Sequence, residues 1–166
     1  MGFKKTSDLI AVSFRVDESA ANTFTQEEIA LQLDVLNNEI FVVLAVDLNP
    51  SALDLVPAAT TASECAVTST SQTALATLAS SNTVAVASQA IVSDAASSVS
   101  FTRAAEESFS GALDYVALIA TNNFFVGIKG NNNTGAKNVT GRVWGYRAKA
   151  DSSTYAALVQ SEVLSA

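Results

Sequence analysis

The sequence predicts an all-β fold: an antiparallel β-sandwich of about eight strands, ending in one short C-terminal helix. Three observations lead there. Apolar residues recur at every second position wherever a period is legible in the 166 residues. Asn, Gly and Pro punctuate the chain into short pieces, as turns between strands do. No helical-period segment lies between the strand-like runs, which excludes a parallel sheet with crossover helices.

Residues 1–8 form a polar arm. Ile10, Val12, Phe14 and Val16 then alternate with Ala11, Ser13, Arg15 and Asp17, the pattern of a half-buried strand. Ile29, Leu31, Leu33 and Val35 alternate in the same way. After Asn37 and Asn38 comes the run Glu39 to Val46, apolar on both faces and therefore central. Two strand-like runs flanking Asn-Asn predict a hairpin, because Asn tolerates the positive φ of a tight turn. Asn49-Pro50-Ser51 closes the second strand, since proline lacks the N–H that a continuing ladder needs.

Between Ala58 and Ser98, 28 of 41 residues are Ala, Ser or Thr. Cys65, Val67, Leu75, Leu78, Val84, Val86, Ile91 and Val92 interrupt this stretch too regularly for a flexible linker. Strands near 63–70 and 83–92, joined by a turn or a single helical turn near 72–80, fit the spacing. A further strand begins at Val99. Residues 106–108 and Gly111 form a turn, and Tyr115 to Ala120 reads as a strand. Asn122-Asn123 predicts a second hairpin, with Phe124 to Lys129 returning. Gly130 to Gly135 is expected to be an exposed loop. Lys137 to Ala150 reads as a long last strand in which Gly141 and Gly145 alternate with Arg142, Trp144 and Tyr146. Glycine inside a strand marks a bulge, a bend or a close backbone approach. Asp151 or Ser152 caps the helix, with Tyr155, Leu158, Val159, Glu162 and Val163 at helical spacing. The expected organisation is one sandwich domain over residues 1–150 and a docked helix over 151–166.

Composition narrows the chemistry. His is absent and Cys65 is the only cysteine, which removes His-based triads, His-ligated zinc or haem, and internal disulfides. No catalytic residue, cofactor or metal site is expected. Glu27 and Glu28 point to opposite faces of a strand and cannot act as a facing acid–base pair. Asp47 and Asp54 flank the Asn-Pro turn, where turn hydrogen bonding competes with hard-cation ligation. Cys65 among small residues reads as a buried thiol. Gly130 and Gly135 have the spacing of a phosphate-binding loop, but Ala136 stands where that motif needs Lys.

The net charge of −7 disfavours nonspecific binding to nucleic acid or anionic membrane. No secretory h-region follows the first residues, and no apolar run is long enough to span a bilayer. Charge is unevenly spread along the chain. Residues 1–114 carry four basic and fourteen acidic groups, a balance of −10; residues 115–166 carry five basic and two acidic, a balance of +3. The second part also holds the candidate contact residues Lys129, Lys137, Arg142, Trp144, Tyr146, Arg147 and Lys149. Strand-borne aromatics beside cations suit either subunit contacts or stacked bases and phosphates. Charged residues make up only 15% of the chain, few for a solvated surface. A protein that buries much of its surface against neighbours needs fewer.

The polar N-terminal arm, the eight or so strands, the two Asn-Asn turns and the late strands Phe124–Lys129 and Val139–Arg147 together resemble the small viral capsid-type single jelly roll. The resemblance is one of arrangement and carries no signature motif. It implies a structural coat subunit that assembles with copies of itself and with other virion proteins into a shell or filament. Such a protein is made in the host cytoplasm and works in the virion. The alternative is a sandwich-shaped binding module on a particle, taking a glycan, a receptor or single-stranded nucleic acid through Asn131–Asn133, Trp144 and Tyr146. A carboxylate enzyme ranks last.

Overall fold

The computed structural model describes residues 2–104 and 113–165. Its strands are β1 (Phe3–Lys5), β2 (Ile10–Asp17), β3 (Thr25–Ala30), β4 (Glu39–Pro50), β5 (Thr61–Thr68), β6 (Thr83–Ser93), β7 (Ser98–Arg103), β8 (Ala117–Ile119), β9 (Asn123–Asn131) and β10 (Asn138–Ala150), and the helix α1 spans Ser152–Ser165. All strand pairs are antiparallel, and they form two sheets. The first runs β2-β10-β4-β8, with the short β1 beside β2 along the same edge of β10; the second runs β3-β9-β5-β6-β7. With β1 and β7 set aside, the remaining eight strands fall in the order first-eighth-third-sixth and second-seventh-fourth-fifth. That is the strand order of a single jelly roll, two Greek keys wound into one sandwich.

This order corrects both expected hairpins. β3 pairs with β9 in the second sheet, whereas β4 pairs with β10 and β8 in the first. β8 likewise pairs with β4, while β9 lies in the opposite sheet. Each Asn-Asn segment therefore carries the chain from one sheet to the other. The two crossings are also tied together: the Leu31 N–H donates to the Asn122 carbonyl at 2.9 Å, and the Leu33 N–H donates to the Asn122 side-chain oxygen. Leu31 and Leu33 turn inward and seal this end of the core. Asn38 does adopt a left-handed conformation, φ 56°, but in a crossing rather than a hairpin. The Ala/Ser/Thr-rich stretch is ordered as anticipated: β5 and β6 pair side by side from Thr61 to Ile91.

β4 is central and apolar on both faces for a reason the layers make plain. Phe41, Val43 and Val46 join Phe14, Val16, Phe124, Val126, Ile128, Val139 and Val143 between the sheets. Ile40 and Val42 point the other way, into a second cluster with Ala148 and Ala150 beneath Tyr155, Leu158 and Val159 of α1. The helix is thus a third layer on the outside of the first sheet. Its start is capped by Asp151, whose carboxylate accepts from the Thr154 N–H at 2.7 Å. Val163, expected to dock, is 68% exposed, and Glu162 is buried in its place. The N-terminal arm is not wholly free, since Phe3–Lys5 pairs with Ala148–Ala150.

Both strand glycines are slots for core rings. On Gly141 a Cβ would lie 2.6 Å from Phe14 Cζ; on Gly145 it would lie 2.2 Å from the Val42 carbonyl oxygen and 2.7 Å from Phe41 Cε1. Beside Gly145 the register slips: Trp144 opposes Ala45 and Gly145 opposes Val43, so Leu44 is a bulge residue. The bulge switches which parity of β4 faces the core, from Phe41 and Val43 to Val46.

Candidate interaction surface

The predicted contact residues lie mostly on β10, but they do not form one basic patch. Antiparallel pairing sets the acid-rich early chain directly against the basic late chain. Arg142 lies opposite Asp47 and Lys149 opposite Glu39, both on β4; Lys129 on β9 lies opposite Glu64 on β5. Arg147 sits at the sandwich end, its Nη2 donating to the Leu31 carbonyl at 3.1 Å and its Nε 3.9 Å from Glu39. Lys137 is at the opposite end, 2.9 Å from Asp54. The five cations of the late segment thus face acids of the early one within the same chain, which still keeps a net charge of −7.

The aromatic residues are engaged with cations of the same chain. Arg142 lies over the Trp144 ring at 5.5 Å, and Lys5 over the Tyr146 ring at 4.9 Å. The Trp144 Nε1–H donates to Asp47 Oδ2 at 3.2 Å, and the Arg142 Nε–H donates to Ser13 Oγ at 3.1 Å. Next to this pair is a shallow cleft of about 300 Å³ lined by Ser13, Asp47, Asn49, Thr140 and Arg142.

One end of the sandwich holds a polar knot that no motif announced. Glu18 is 5% exposed, and its carboxylate accepts from the N–H groups of Thr23, Gly130 and Lys137 at 2.8–3.0 Å. The β2–β3 and β9–β10 connections are thereby held at one point. Asn133 is also buried: its N–H donates to Asn22 Oδ1, and its Nδ2 donates to the Ala62 carbonyl. Gly130–Gly135 is thus exposed at Asn131, Asn132 and Thr134, as expected, and anchored through the buried Gly130 and Asn133. Asn132 donates to the Thr60 carbonyl yet stays exposed, as does Asn131, so of the Asn131–Asn133 segment only Asn133 is turned into the protein. The available signal was the acid pair Asp17-Glu18 at the end of a strand, a pattern too common to single out Glu18.

Asp47 and Asp54 do not form a joint site. Asp47 lies within β4, while Asp54 accepts from Lys137 Nζ, Thr134 Oγ1 and the Thr134 and Gly135 N–H groups at 2.9–3.1 Å. These donors, Lys137 foremost, hold the Asp54 carboxyl far below the usual carboxylate range. Among the described residues no three His, Cys, Asp or Glu side chains gather as metal ligands. Glu27 and Glu28 are exposed strand residues. The Cys65 thiol is 1% exposed, donates to the Ala87 carbonyl, and is pushed up to about 12 by burial, far from the thiolate a nucleophile needs.

The second sheet presents a surface of different character. Every residue of β7 is exposed, and Val99 and Phe101 are 57% and 59% accessible. Val92 on β6, 46% accessible, lies opposite Val99, and Ala90 lies opposite Phe101. Nothing equivalent to α1 covers these residues among the described parts of the chain. A cleft of about 230 Å³ opens nearby, lined by Leu75, Leu78, Val86, Glu64 and Arg103. No helix among the described residues is long and apolar enough to cross a membrane. No protein-family model, curated protein or solved structure matches this chain.

Proposed function

We propose that this chain is a structural subunit that assembles with copies of itself, a coat protein of a virion shell or filament rather than an enzyme. The exposed apolar strip of β6 and β7 carries the reading. A soluble monomer rarely leaves a β-branched pair and a phenylalanine together on an outer strand, and such a strip favours association. Internal charge matching on β10 shifts the expected contact away from Lys129, Lys137, Arg142, Trp144, Tyr146, Arg147 and Lys149 and toward the second sheet. Negative-stain microscopy of the purified full chain tests the proposal: regular particles or filaments are expected, and a field without them at every concentration and salt level contradicts it.

A binding module on a particle is the second reading, favoured by the cleft beside Arg142 and Trp144. Hydroxyl, amide, carboxylate and guanidinium groups on its walls suit a glycan. They suit single-stranded nucleic acid less, because Arg142 and Lys5 already occupy aromatic faces that bases would stack on. Glycan-array binding by a stable monomer would favour this second reading.

A further inference from the structure

We propose that β7 is the subunit contact, adding edge to edge onto β7 of a second copy about a two-fold axis centred on Ser100. This rests on the self-assembly reading and specifies its geometry. β7 is the last strand of its sheet, and no described strand pairs with its outer edge. Few of the devices that usually blunt such an edge are present: Ser98–Arg103 contains no proline, no lysine and no bulge, and its one charge, Arg103, stands at the strand's end.

The second copy is singled out by self-complementarity. In an antiparallel pair, directly opposed residues share a face, so a two-fold axis normal to the sheet must pass beside a residue paired with its own copy. With Ser100 at the axis, Val99 faces Phe101 of the other strand, twice. Ser98 faces Thr102. These are a β-branched residue against an aromatic, and a hydroxyl against a hydroxyl, both favourable cross-strand pairs. Arg103 then falls opposite Ser97, beside Asp94, whose carboxylate accepts from the N–H groups of Ala96 and Ser97 at 2.7–2.8 Å and so is fixed at that turn. Each junction thus sets one cation beside one anion, and the symmetry supplies two such junctions. No like charges oppose one another anywhere along the strand. The two five-stranded sheets become one ten-stranded sheet, and Val92 flanks the apolar Val99–Phe101 pairs on its face.

The test uses the full chain. Opposed Cα atoms in an antiparallel pair are about 4.5–5.5 Å apart, within disulfide reach. Ser100→Cys should therefore give a covalent dimer on oxidation, whereas Ser13→Cys, on the far sheet, should not; Cys65 is buried and does not compete. Val99→Lys combined with Phe101→Lys should weaken association at least tenfold. Arg103→Asp should weaken it too, and adding Asp94→Arg should restore it. If the parent assembles but Ser100→Cys fails to cross-link and the lysine variant assembles as before, the β7 contact is wrong and the self-assembly reading survives. If the parent is monomeric at every concentration, including the case where β7 captures an unrelated chain instead, both fail.

Discussion

Single residues at two places decide whether the sandwich closes. Gly145 leaves room for the Phe41 ring and the Val42 carbonyl, so Gly145→Ala should cost about 3 kcal/mol or more, read from urea unfolding. The sequence made this legible: glycine alternating with bulky residues in a strand announced a bulge or close approach, and both are present. Glu18 was not legible, because two of its three partners, Gly130 and Lys137, lie 112 and 119 residues away. Glu18→Gln replaces a carboxylate oxygen with an amide donor facing an N–H, and should cost about 2–3 kcal/mol in the same measurement. Ala58 has φ 60°, a conformation that disfavours a Cβ; Ala58→Gly should stabilise by about 1 kcal/mol.

At the scale of elements, α1 is the part whose docking responds to pH. Its buried Glu162 accepts from the Ala120 N–H at 3.1 Å, and burial raises its carboxyl above the ordinary 4.5. A raised folded value means that Glu162 favours the folded state fully below about 4.5 and loses that contribution as pH rises through the raised value. Asp54 and Asp151 behave oppositely. Lys137, Thr134 and Gly135 depress the first, and the Thr154 N–H leads in depressing the second, so both stabilise above about 3.8 and stop doing so as the pH falls further. Melting temperature should therefore rise on mild acidification and fall below about pH 4, and Glu162→Gln should remove the rise. Deleting residues 152–166 should uncover Ile40, Val42 and Ala148 and lower the melting temperature sharply, since each large apolar side chain so exposed forfeits about 1.5–3 kcal/mol. An unchanged melt would show that the helix does not cover the sheet. The helix itself was legible from its cap and spacing, yet of its last two spaced residues Glu162 is buried and Val163 is exposed. Helical period locates a face but not the depth to which the last turn is buried.

For the molecule as a whole, strand positions were far more legible than strand partners. Alternation is a local property and marked β2, β4, β5, β6, β9 and β10 closely. Pairing in a jelly roll is not local: most consecutive strands lie in opposite sheets, so an Asn-Asn turn between two strands looks alike whether it closes a hairpin or crosses the sandwich. The same non-local pairing explains the charge distribution. A sequence split of −10 and +3 suggested two surfaces on different subunits, but β10 against β4 and β9 against β5 bring those charges together inside one chain. A net charge of −7 remains, and Val92, Val99 and Phe101 form an exposed apolar strip along β6 and β7. The mass of the purified full chain, followed by light scattering over a concentration series, decides whether copies associate. Growth from 17.2 kDa to multiples of it, persisting in high salt because the contact is mainly apolar and backbone in nature, is the predicted result. A mass fixed at 17.2 kDa throughout would contradict it.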